Sequence, residues 1–169
     1  MAISKKIINF LEKKKVKFEI IKHKTVYTSF DKAQTLKIAQ RVIGKTLVIK
    51  FNREKGVVLI PANKNLDKVK LKKLINQKFK KIGKKAIKKI DFVTERWMKK
   101  NLKGVKVGAI PPLGNLWKMM TFIDKSLLKE KEIIISGGDY KFSLRIKSRD
   151  LLKKLLPDAI LGNFSKKKK

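Results

Sequence analysis

Two strand-length apolar runs, residues 45–51 and 57–61, follow one another closely, with Gly44 ahead of the first and Gly56 ahead of the second. Neither run is long enough for a helix. A glycine between two such runs marks a tight turn, so they predict a β-hairpin that turns at Gly56. Such a hairpin needs cover. Ile3, Ile7, Ile8 and Leu11 recur at helical spacing ahead of it, and Val69, Leu71, Leu74 and Ile75 do so after Asp67. Ser29 or Asp31 is placed to cap a helix through about Gln40. Thr94, with Trp97, Met98 and Leu102, opens a short helix that stops near Gly104, and Ser148 caps a last one over residues 149–156, closed by Pro157. Residues 16–21, 105–110, 119–123, 132–135 and 142–146 read as further strands, the last with clear apolar–polar alternation. Strands interleaved with helices predict an α/β, or mixed α+β, fold. No repeat or interdomain linker divides it, so one domain is expected over residues 1–165, with residues 166–169 as a solvated basic tail.

Charge narrows the partners. The chain has 169 residues, 43% of them hydrophobic, enough for a sizeable core. It carries 46 basic and 13 acidic residues, a formal charge of +33. That excess suits a polyanion such as RNA, DNA or an anionic membrane. Lysine supplies nearly all of it and isoleucine is also abundant, a bias that an AT-rich genome produces without any binding face. No cysteine is present, which excludes disulfides, thiolate nucleophiles and Cys-based zinc sites. His23 is the only histidine and no G-x-S-x-G elbow occurs, so a Ser-His-Asp triad has no support beyond His23 itself. Neither a metal nor an organic cofactor is expected. Asn9 and Lys13–Lys15 interrupt the N-terminal apolar pattern, and no stretch approaches the roughly 20 apolar residues of a membrane span. A cytoplasmic protein is expected.

Three short segments carry the chemistry. In Gly44-Lys45-Thr46-Leu47-Val48 a lysine stands at the mouth of an apolar strand. Gly108-Ala109-Ile110-Pro111-Pro112-Leu113-Gly114 is a turn whose glycine and prolines can expose backbone N–H groups. Ser136-Gly137-Gly138 is a glycine corner between two strand-like runs. Singly, each has a plain reading: a solvated lysine, an ordinary turn and a β-turn. Together, one cation facing a loop of free amides suits a carbonyl ester or another anionic group.

In order and spacing these segments resemble the YbaK/ProX family of aminoacyl-tRNA deacylases, from about His23 to about Leu156. The resemblance implies a compact, mixed, largely antiparallel sheet flanked by helices. It also implies hydrolysis of the ester of mischarged tRNA, with tRNA(Pro) the favoured substrate. Lys45 would orient the ester carbonyl, and the amides around Gly108 would bind the oxygen as charge develops. Thr46, Ala109, Ile110, Pro112, Ser136, Gly137 and Gly138 would line the pocket, with Tyr27 and Thr28 at its rim. The water would be activated by the substrate's own 2′-hydroxyl. Partners would be the acceptor stem and aminoacylated 3′ end of tRNA, and an aminoacyl-tRNA synthetase; no membrane is involved. The family's cysteine-specific members carry an acid where Ser143 falls, and its alanine-specific branch a histidine near the glycine corner that this chain lacks. A non-catalytic basic RNA-binding module on the same fold is the alternative from another class. For Tyr27 and Thr28 cross-strand packing is the competing account. Phe30, Phe51, Trp97 and Trp117 are expected in the core, and Asp124 in a structural role.

Overall fold

The computed structural model describes residues 3–168. In chain order the elements are α1 (Lys5–Lys13), β1 (Phe18–Lys22), α2 (Ser29–Leu36), β2 (Gly44–Phe51), β3 (Glu54–Pro61), β4 (Lys64–Leu66) and α3 (Lys68–Lys81). Then come β5 (Ile90–Phe92), α4 (Glu95–Asn101), β6 (Met120–Asp124), β7 (Glu132–Asp139), β8 (Phe142–Lys147), β9 (Ile160–Gly162) and β10 (Ser165–Lys167). A five-stranded sheet runs β5-β2-β3-β6-β9, antiparallel on the hairpin side and parallel from β3 to β9. A second, antiparallel sheet, β1-β8-β7, meets it where Ile43 bridges to Ile134, and β10 pairs with β4. The architecture is mixed α+β, as the interleaved patterns predict.

Alternation divides β2 between two packing layers. Ile49 and Phe51 face Leu71, Ile75 and Phe79 of α3, while Val48 packs with Val93, Leu102 and Ile110. On the far side α1 buries Ile7 and Leu11 against Ile133, Ile135 and Leu144 of the second sheet.

Several boundaries differ from the sequence expectation for identifiable reasons. The hairpin turns at Asn52, whose φ of 57° asparagine tolerates, and not at Gly56. Gly56 lies inside β3 opposite Ile49, where a Cβ would come within 2.9 Å of the Phe122 ring. Helix α2 is capped by the Thr28 side chain and stops at Leu36, because Lys37 turns left-handed. Residues 105–110 form no strand. The last helix is one turn over Ser148–Asp150 followed by a wide π turn over Leu151–Leu155. Phe51 is in the core, but Phe30 is exposed.

The basic tail needs the largest correction. Lys166 and Lys167 belong to β10, paired with Asn65 and Lys64, so the domain continues beyond residue 165; Lys169 lies outside the described residues. The cause is a clasp at Asp124. One carboxylate oxygen accepts the Ser126 amide and hydroxyl, and the other accepts the Phe164 N–H at 2.9 Å. Phe164 is fully buried, and its carbonyl accepts the Asp67 N–H at 2.7 Å. Burial works against the Asp124 charge, but these hydrogen bonds hold its carboxyl below the usual carboxylate range. Asp124→Ala should cost about 2–3 kcal/mol in urea unfolding, because it leaves the buried Phe164 amide without its acceptor. Unchanged stability would show that β10 is held by other contacts.

Candidate functional site

The residue 105–110 loop is strapped to the end of β7. Lys106 donates its N–H to the Gly138 carbonyl, and Gly138 donates to the Ala109 carbonyl, each at 2.8 Å. The register of β7 against β8 shifts between Ser136 and Asp139, and this irregularity frees Gly138 to bond sideways. Position 138 needs glycine: φ is 88°, and a Cβ would lie 2.9 Å from Ile7 and 3.0 Å from Val105. From the other side the segment before α2 follows the same strand turn. His23 donates its N–H to Lys141 and Val26 to Tyr140. The Tyr140 hydroxyl donates to the Val107 carbonyl, and its ring lies 4.9 Å from that of Tyr27.

These supports enclose a small cleft of about 20 Å³ lined by Tyr27, Thr28, Lys32, Gly108, Ala109, Ser136, Asp139 and Tyr140, among others. Gly108, with φ 89°, holds the loop open. The Ala109 N–H is spent on the Lys106 carbonyl, whereas the Gly108 N–H has no acceptor among the described residues. One backbone donor is therefore free at the cleft wall.

Of the residues singled out in the sequence, Tyr27, Thr28, Gly108, Ala109 and Ser136 meet here. Others do not. Ile110 packs into the Val48 cluster, Pro112 is buried, and Gly137 faces Ile3 of the core. Gly138 braces the loop from behind. Thr46 lies on the Val48 face of β2, its hydroxyl buried without a partner. Lys45 lines a separate depression with Leu47, Asn65, Phe92 and Lys166, and donates to the Lys64 carbonyl at 2.7 Å. Burial and the nearby charge of Lys168 lower its pKa. Its strand position is close to the cleft all the same. Ile43 and Ile134 pack in one cluster across the β2–β7 seam, and alternation puts Lys45 and Ser136 on that same face, two residues further along each strand.

Tyr140 and two charged cleft residues escaped the sequence reading. Asp139 follows the glycine pair directly. It is buried, bridged to Lys106 at 2.9 Å, and accepts the Lys141 N–H at 3.0 Å. Desolvation opposes its charge, but Lys106 and that amide hold its pKa below the usual range. Lys32 is the second: only 7% exposed, it donates to the Ser136 hydroxyl at 3.3 Å. Its signal was a lysine one helical turn before Leu36, on the face that α2 buries. His23 lies outside the cleft, its ring bonded to the buried Ser143 hydroxyl at 2.9 Å. Among the described residues no group of three or more His, Cys, Asp or Glu side chains is placed to hold a metal.

The sequence profile of the aminoacyl-tRNA editing domain matches residues 23–154, which include every residue of this cleft. The chain belongs to that family. Solved structures agree on the fold of the editing domain. The "hypothetical protein APE2540" superposes with a TM-score of 0.79 at 20% identity, covering 96% of this chain and all of that one. A protein described as a "putative trans-editing enzyme for prolyl tRNA synthetase" superposes with a TM-score of 0.72 at 20% identity, covering 98% of this chain and 99% of its own. A search of curated proteins gave no match. No helix among the described residues is long and apolar enough to cross a membrane.

Lys32 should leave its mark on the pH dependence of the domain's stability. Burial pushes its pKa from 10.5 down to about 8. Between those values the unfolded chain binds the extra proton, so stability rises with pH through that window; below it the folded state bears the whole cost, on the order of 3 kcal/mol. Lys32→Met should therefore melt above wild type at neutral pH, and the gap should close as pH rises past 8. A variant that melts lower at every pH would show that the ammonium stabilises the fold.

Proposed function

We propose that this editing domain acts in trans as a deacylase, hydrolysing the ester of mischarged tRNA, with tRNA(Pro) the favoured substrate. The observation that carries this reading is the free Gly108 N–H at the wall of a cleft that lies wholly within the editing-domain match. The neighbour described as serving prolyl tRNA synthetase supports the choice of tRNA. A water oxygen bonds to the ester carbonyl carbon, and the carbonyl oxygen takes the negative charge under the Gly108 N–H. The carbonyl then re-forms and the bond to the ribose oxygen breaks. That oxygen leaves with the proton the water gives up, in keeping with activation by the neighbouring 2′-hydroxyl. No side chain has to act as base, so the rate comes from positioning.

Lys45 is assigned the ester-orienting role that the family resemblance implies. In this role its ammonium leaves the depression it lines and exchanges the Lys64 carbonyl for the substrate. Outside the cleft, the lysines of residues 78–89 and of β10 grip acceptor-stem phosphates, so tRNA affinity falls steeply with salt. A synthetase that supplies the charged tRNA is the expected protein partner.

Single-turnover clearance of tRNA(Pro) charged with alanine, cysteine, serine or threonine tests the reading. Lys45→Ala and Gly108→Val should each lower the best rate by about 100-fold while tRNA binding drops only a few-fold. Valine cannot hold the left-handed backbone that Gly108 needs. Folded variants at wild-type rate would remove both residues from the site. A wild-type chain that binds tRNA but clears none of these substrates would favour the RNA-binding module.

A further inference from the structure

We propose that Lys32 is a second substrate-binding cation in this cleft: its ammonium donates to the ester carbonyl oxygen and stabilises the charge that forms there when water adds. This rests on the deacylase reading above and extends it to a residue deeper in the same cleft. Lys32 is the fourth residue of α2 and is buried among groups that do not neutralise it. It takes part in no ion pair among the described residues, and the one carboxylate lining the cleft, Asp139, is occupied by Lys106 and the Lys141 amide. An ammonium has three donors; the Ser136 hydroxyl takes one.

Nor does the fold gain from this charge. It sits in the first turns of a helix, against the positive end of the dipole, where an apolar side chain would extend the Ala33 and Leu36 packing. A buried cation with donors to spare is suited to an incoming acceptor. The carbonyl oxygen fits because it enters neutral and becomes charged only during reaction. Lys32 on the Ser136 side and the Gly108 N–H on the loop side then supply two donors to one oxygen. The other ionisable groups facing the cleft are Asp139, already paired with Lys106, and the phenols of Tyr27 and Tyr140.

The test is single-turnover clearance by wild type, Lys32→Met and Lys32→Gln on the charged tRNA(Pro) set, from about pH 6 to about pH 9. Spontaneous hydrolysis is subtracted, and binding of uncharged tRNA and melting are measured in parallel. The wild-type rate should fall above pH 8 as the ammonium is lost. Both variants should lose about 100-fold, lack that alkaline fall in their residual rate, bind uncharged tRNA within a few-fold of wild type, and melt no lower. Lys45→Ala should keep the alkaline fall. A Lys32 variant at near wild-type rate overturns the inference and leaves the deacylase reading intact. Loss of rate, tRNA binding and melting temperature together assigns Lys32 a structural role and also overturns it. A wild type that clears none of the substrates overturns the deacylase reading and this assignment with it.

Discussion

The candidate site depends on two backbone hydrogen bonds, Lys106 to Gly138 and Gly138 to Ala109. A strand in regular register would spend both groups of Gly138 on its neighbour. The irregularity in β7 releases them, and the released groups hold a loop that has no secondary structure of its own. Everything at the cleft wall follows: the direction of Gly108, the Tyr140 hydroxyl on Val107, and the bridge from Lys106 that ties up Asp139. The loop is irregular without being loose, because it borrows its order from the end of a strand.

That dependence explains what could be read from the sequence. The hairpin, α1, α3 with its Asp67 cap and α4 with its Thr94 cap were all legible, because periodicity and capping are local. The turn is harder to locate, because a glycine in a sequence can answer either of two different needs. At 56 the reason is the Phe122 ring, while asparagine makes the turn. Residues 105–110 look like a strand because Val105 and Ile110 are apolar, yet the half-buried Val105 and the buried Ile110 each pack in place without a ladder. β10 could not be foreseen in a run of lysines: its order comes from the buried Phe164 and from Asp124, forty residues away.

The site was legible in part, for the same reason. Glycine corners announce unusual backbone, so Gly108 and Ser136 were found. A lysine announces very little in a chain with 46 basic residues. Lys45 stood out by its neighbours in sequence, Lys32 only by its neighbours in space. What separates Lys32 from the rest is desolvation, and burial of one side chain is a property of the assembled molecule. The same abundance shapes the electrostatics. With 13 acidic residues to share, most lysines have no carboxylate partner, so water and incoming polyanions are their counter-charge.

The floor beneath Gly137 and Gly138 is made by Ile3 and Ile7, the side chains that a Cβ at either glycine would strike. Both lie ahead of residue 23, where the family match begins, and the Asp124–Phe164 clasp closes beyond residue 154, where it ends. The recognisable unit is thus smaller than the mechanical one. A fragment trimmed to the matched residues would keep all of the cleft's chemistry and lose the surface that holds its loop in shape. For this fold, sequence signature is a poor guide to where a working piece can be cut.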